Sequence, residues 1–166
     1  MPTPYAEHLD GRDPVDVLRS SIADFHALTS HLTPDRWATP YAPGKWTAQQ
    51  VLVHLAQWEM IFGVRVRCGV GLPNYVVVPM DQDPLMGEAA VVDGPMAYGA
   101  FSGLRAMNLA LAASLTRDQR KTIVQHPERG AIDVNDLLVT LAGHAVHHLN
   151  QLRELFPLRE LLPTVS

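Results

Sequence analysis

The chain has 166 residues, of which 47% are apolar and 18% charged, and carries a formal net charge of −4. This length suits a single domain, residues 1–166 with a core from about 14 to 156, and the apolar content excludes a mostly disordered chain. Thirteen Lys and Arg against seventeen Asp and Glu give no basic excess for nucleic acid. No run of eighteen apolar residues offers a membrane span, the single Cys68 cannot close an internal disulfide, and the lack of a signal-peptide pattern makes the cytoplasm the expected location.

The first helical pattern opens at Asp13-Pro14, a capping residue followed by proline at the first helical position. Val15, Leu18, Ile22, Phe25, Leu28 and Leu32 continue it at helical spacing until Thr33-Pro34. Residues 33–45 hold three prolines and a glycine, which predicts a loop with room for one helical turn, pinned by Leu32 and Trp37. Thr47-Ala48-Gln49-Gln50 has the form of a capping box and starts a second helix, predicted over Ala48 to Arg67. From Cys68 to Pro95 the chain is irregular, and a connection that long in a small domain is expected to be a crossover that covers a site.

Asp93-Gly94-Pro95 starts a third helix reaching Leu115 or Thr116. Its Gly99 and Gly103 cost about 1 kcal/mol each relative to Ala and are expected to permit close helix contact. Thr122 to Gln125 and Ala131 to Asp133, joined by His126-Pro127-Glu128-Arg129-Gly130, predict a short hairpin. Asp133 then caps the last helix, whose stripe of Leu137, Leu138, Leu141, Ala145, Leu149, Leu152 and Leu155 runs to Phe156-Pro157. Four helices of about 20 residues, one long crossover between the second and third, and no sustained strand pattern predict an all-α four-helix bundle.

Eight histidines accompany the one cysteine, and their placement carries the chemistry. His144 and His148 lie one helical turn apart, about 40° around the axis, so both can face one point; His147 lies about 60° to the other side of His144. The pair shares its face with Leu137, Leu141 and Leu152, so it is expected to look into the bundle. Buried ring nitrogens must then find partners, at about 1 to 3 kcal/mol for each left unpaired. A metal is one solution; capping hydrogen bonds or plain surface placement are others, and the spacing leaves all three open. His54, beside Val51, Leu55 and Trp58 on the second helix, also faces inward on this reading, and three neutral imidazoles match the ligand logic of an open metal site.

Pro43-Gly44-Lys45-Trp46-Thr47, then Val51-Leu52-Val53-His54-Leu55, then Gly143-His144-Ala145-Val146-His147-His148-Leu149-Asn150-Gln151 resemble the DinB/YfiT-like superfamily in order and spacing. Asp81-Gln82-Asp83 and the His126-to-Gly130 turn extend the likeness from about residue 14 to 156. The resemblance implies a four-helix bundle, often a homodimer, with a divalent ion, commonly nickel or zinc, held by His54, His144 and His148. It further implies a metal-dependent enzyme acting on a small molecule, either a thiol S-transferase using a low-molecular-weight thiol or a hydrolase. The alternative is a non-enzymatic, metal-binding or structural dimeric bundle. Neither the resemblance nor the charge calls for a nucleic-acid partner.

The remaining candidates weigh less. His147 is the rival ligand, through its i, i+3 spacing to His144, against a solvent-facing or hydrogen-bonding role. His8, His26 and His31 read as surface or packing residues, and His126 as a turn-stabilising one. Arg65 falls on the inward stripe, suited to a structural salt bridge with Asp81 or Asp83 or to a substrate carboxylate. Glu59 reads as a solvated helix residue, Gln151 as an orienter of a ligand or water, and Trp46 and Trp58 as core or pocket wall. Cys68 has no strongly basic surroundings and is not an expected nucleophile, so a reacting thiol would arrive with the substrate.

Overall fold

The computed structural model describes residues 2–40 and 42–156. Helix α1 spans Pro14–Thr29, with the Asp13 side chain accepting from Val15 N. It stops short of the predicted Thr33 because Thr33 instead caps a separate one-turn helix, α2, Pro34–Trp37. Trp37 is buried against the start of a later helix at Gly94, where a Cβ would stand 2.2 Å from the indole; only glycine allows that approach. Helix α3, Ala48–Gly71, begins with the Thr47/Gln50 capping box and runs four residues beyond the sequence expectation. Helix α4 is Gly94–Ser114, α5 the single turn Arg117–Arg120, and α6 Val134–Leu155.

The four long helices form the bundle expected from the periodicity. Strands β1, Ile123–His126, and β2, Gly130–Asp133, pair antiparallel with His126 opposite Gly130. The crossover is fastened rather than loose. Val77 N donates to Gln125 O and Gln125 N to Tyr75 O, laying the crossover along β1, and Arg65 donates to Val78 O at 2.8 Å. A 3-10 segment, Asp83–Ala90, is held to α3 by Gln57, which donates to Leu85 O and Glu88 Oε2, while Gln49 donates to Ala89 O and Val92 O. Gly99 and Gly103 differ from expectation: neither has a neighbour within 4 Å of a built Cβ, so both lie open and bring no helices together. Close approach occurs instead at Gly63, Gly69, Gly94 and Gly143.

Two apolar clusters fill the interior. One gathers Phe25, Leu52, Phe101 and Leu149, the other Leu18, Phe62, Leu138 and Leu141. Along each long helix the residues between these clusters are polar: Ser21 on α1, Glu59 on α3, Arg105 and Asn108 on α4, and His144 on α6, all buried. Arg105 donates through Nε to Glu59 at 2.8 Å and through Nη1 to Ser21 at 2.7 Å, and Asn108 donates to the Glu59 carboxylate at 2.9 Å. Glu59 is thus not the solvated residue its sequence context suggested; 1% exposed, it is paired with the fully buried Arg105 guanidinium. The polar layer marks the level at which the histidines enter.

Candidate metal centre

His54 projects from α3, and His144 and His148 from consecutive turns of α6; their exposures are 1%, 7% and 7%. One ring nitrogen from each lies within 4.8 Å of the others. Nε2 of His144 stands 3.0 Å from Nε2 of His54 and 3.0 Å from Nε2 of His148. A neutral imidazole nitrogen offers one proton or one lone pair, so hydrogen bonding at His144 Nε2 serves one neighbour well and leaves the other short. A cation accepts lone pairs from all three, and two nitrogens bound to it at about 2.0–2.1 Å lie about 3.0 Å apart when they subtend close to a right angle. The donor set fits a divalent metal on those grounds.

Burial sets the protonation of the cluster. It pushes His54 down to about 3, with the His148 ring adding to the effect, and His148 down to about 4. His144 is also held well below the ordinary imidazole value, first by burial and then by the surrounding rings. All three are neutral near pH 7, as ligation requires.

The outer nitrogens of these rings differ in a way spacing could not reveal. His148 Nδ1 donates to Gln151 Oε1 at 2.8 Å, and the Gln151 amide donates in turn to His147 Nε2 at 3.0 Å. That chain places the His148 proton on Nδ1 and leaves Nε2 its lone pair. It gives Gln151 the orienting position expected of it, and it holds His147 outside the converging three. His54 has the opposite arrangement: Trp58 Nε1 donates to His54 Nδ1 at 3.1 Å, which places the proton on Nε2. For His54 to ligate through Nε2, that proton must pass to Nδ1 and the Trp58 N–H must turn away.

A cavity of about 400 Å³ opens over the three rings, walled by Trp46, His147, Tyr5, Lys45 and Gln82. Tyr5 carried no sequence signal. It reaches the site because Gly143 lets the chain before the 3-10 turn Ala6–Leu9 cross α6: a Cβ there would lie 2.2 Å from Tyr5 O. The Tyr5 ring then meets His144 edge-on at 5.3 Å and lies 5.4 Å from His147. Gln82 is what the Asp81-Gln82-Asp83 run brings to the cavity; Asp81 instead accepts from Asp83 N.

The other candidates fall as follows. His8 packs against Tyr5 and His147, while His26 and His31 are exposed. His126 Nδ1 accepts from Glu128 N within its turn. Trp58 lines a second cavity, beside the first. Cys68 is half-buried and lines neither. Arg65 makes no ion pair with Asp81 or Asp83; its guanidinium lies 5.6 Å from the Trp58 ring centre and 5.0 Å from that of Phe62, and it donates to Val78 O.

A family model described as the DinB superfamily matches residues 18–152. Among curated proteins, one from Geobacillus kaustophilus is 27% identical over 144 residues, covering 85% of this chain and 81% of its own. "Putative metal-dependent hydrolase YfiT" of Bacillus subtilis is 25% identical over the same length and coverage; the Geobacillus protein shares its designation as a hydrolase of that kind. The solved YfiT structure, titled as having an unusual four-helix bundle topology, superposes with a TM-score of 0.78 at 25% identity, covering 86% of this chain and 83% of that one.

Proposed function

The chain belongs to the DinB superfamily, and from that membership and the three converging imidazoles we propose that it is a metal-dependent enzyme acting on a small molecule. His54, His144 and His148 would hold the cation, with nickel or zinc suited to an all-imidazole set. The observation that carries this reading is the meeting of three buried, neutral Nε2 atoms beneath an open cavity. A bound divalent cation supplies Lewis acidity, lowering the pKa of a water or thiol beside it.

The residues around the cavity favour thiol transfer over hydrolysis. Among the described residues lining it there is no carboxylate to act as general base toward water or to protonate a leaving group. A thiol, with an ordinary pKa near 8.5, needs less help to ionise than water does. Its proton can leave to solvent through the cavity mouth. The sulfur of an incoming low-molecular-weight thiol would then bond to an electrophilic carbon of the second substrate, whose leaving group departs with the bonding electrons. Trp46 and Tyr5 wall the space in which that occurs, and His147 and Gln151 keep His148 aligned. The names of the relatives support a metal-dependent reaction and keep hydrolysis as the second reading.

Metal analysis of untagged protein, beside His148→Ala, tests the ligand set: the wild type is expected to retain about one divalent ion per chain and the variant to lose it. Equal content in both would overturn the assignment. A panel pairing small thiols with electrophiles, run with and without chelator, then separates transfer from hydrolysis by product.

A further inference from the structure

Beside the first cavity lies a second, of about 230 Å³, and the two share Tyr5, Gln82 and His144 on their walls. Its character is different. Trp58, Phe62 and Leu137 give it an apolar side, and Arg65 from α3 and Arg129 from the hairpin turn give it two guanidiniums. Neither arginine is within ion-pair distance of a carboxylate among the described residues, whereas the fully buried Arg105 is paired with Glu59. Arg129 Nε is buried with no hydrogen-bond partner. Arg65 is only 7% exposed, yet it donates to a backbone oxygen, Val78 O, and not to a carboxylate. The one carboxylate among the lining residues, Glu128, is exposed and pairs with neither. His126, on the same wall, stays neutral near pH 7, because burial and both guanidiniums disfavour its charged form.

Uncompensated buried cations are costly, and a fork of N–H groups is shaped for a planar carboxylate. We propose that this second cavity is a substrate subsite that binds the carboxylate of an amphipathic small molecule through Arg65 and Arg129. The apolar part of that molecule lies along Trp58 and Phe62, and its reacting end extends past His144 into the histidine cavity. Guanidinium forks suit phosphate as well as carboxylate; the apolar wall of Trp58, Phe62 and Leu137 in a cavity of about 230 Å³ favours the less hydrated, singly charged carboxylate of an amphipathic molecule. The assignment extends the reading above by naming the part of the substrate that the protein holds, but the binding of the anion does not itself need the metal.

The test therefore uses the full chain after chelator treatment, so that a carboxylate cannot bind by ligating a cation. Hexanoate and its uncharged counterpart hexanamide are titrated calorimetrically into wild type, Arg129→Gln, Arg129→Lys and His148→Ala. Arg129 is half-buried in the hairpin turn, outside the four long helices, so its substitution spares the bundle; circular dichroism and the melting curve verify that. Hexanoate is expected to bind the wild type and His148→Ala alike and more tightly than hexanamide does. Arg129→Gln is expected to weaken hexanoate by about tenfold to a hundredfold, the range of a lost hydrogen bond to a charged group, with Arg129→Lys between the two. Equal affinity for hexanoate and hexanamide, or hexanoate affinity in Arg129→Gln within about twofold of wild type, overturns the subsite. Inorganic phosphate displacing hexanoate better than acetate does overturns the carboxylate class. Failure of the metal assignment would appear separately, as equal metal content in wild type and His148→Ala.

Discussion

If His54 and His148 ligate a metal as proposed, their opposite hydrogen-bond settings should make its affinity respond in opposite directions to two nearby substitutions. Trp58 Nε1 donates to the nitrogen of His54 that must carry a proton if Nε2 is to ligate. Metal binding through Nε2 would therefore break that bond and leave two N–H groups facing each other until the indole moved. A hydrogen bond of this kind contributes about 0.5–1.5 kcal/mol net. Trp58→Phe keeps an aromatic wall and removes the donor, so it should raise affinity for Zn²⁺ by about twofold to twelvefold, at 1.4 kcal/mol per factor of ten. Gln151 does the reverse: its Oε1 accepts the His148 Nδ1 proton at 2.8 Å and so favours the ligating tautomer. Gln151→Leu should lower affinity by about tenfold to a hundredfold, the usual cost of losing a partner behind a ligand histidine; Gln151→Glu, which keeps an acceptor, should restore most of it. The assay is competition against a chromogenic zinc chelator at fixed pH, with indole fluorescence followed in parallel. In the wild type the Trp58 emission should shift on loading as its N–H loses the histidine. If Trp58→Phe weakens zinc, or both substitutions move affinity the same way, the tautomer argument is wrong.

Three further outcomes follow from the packing and the charges. Gly143→Ala places a Cβ 2.2 Å from Tyr5 O and should cost about 1–3 kcal/mol as an overpacked contact, with faster hydrogen exchange over Ala6–Leu9; unchanged exchange there would separate Tyr5 from α6. Arg105→Met leaves the Glu59 carboxylate buried and unpaired, and urea denaturation should show a loss of about 3–5 kcal/mol, much of it recovered when Glu59→Gln is added. For metal-free protein, His54 and His148 are lowered to about 3 and about 4 while the unfolded rings titrate near 6.5. Above 6.5 both states are neutral and no stability is lost. Between 6.5 and about 4 only the unfolded chain gains protons, so stability should fall by up to about 1.4 kcal/mol per pH unit for each ring. A melting temperature unchanged across that interval would place those imidazoles in water.

Short-range chemistry is legible in the order of residues alone. Asp13, Thr47, Asp93 and Asp133 cap the four long helices where their side chains can reach the first free amides, and the apolar spacing between them dictated a bundle. The i, i+4 relation of His144 and His148 is a property of any α-helix, and the stripe around His54 told which way that ring faces. The helix ends shifted where two local preferences competed, as at Thr33, whose hydroxyl caps the turn that follows instead of ending the helix before it.

Features that depend on residues far apart in the chain emerged with the packing. Glu59 looked solvated because its neighbours on α3 say nothing of Arg105, 46 residues later, which buries with it. Tyr5 reached the histidines through a glycine on the last helix, a steric permission with no sequence period. Arg65 and Arg129, from different elements, became a pair only when the hairpin turn closed against α3 beside His144. The protons on His54 and His148 were fixed by which group stood behind each ring, an indole donor for one and an amide oxygen for the other. Periodicity could aim those imidazoles inward, but long-range packing set what each could donate or accept.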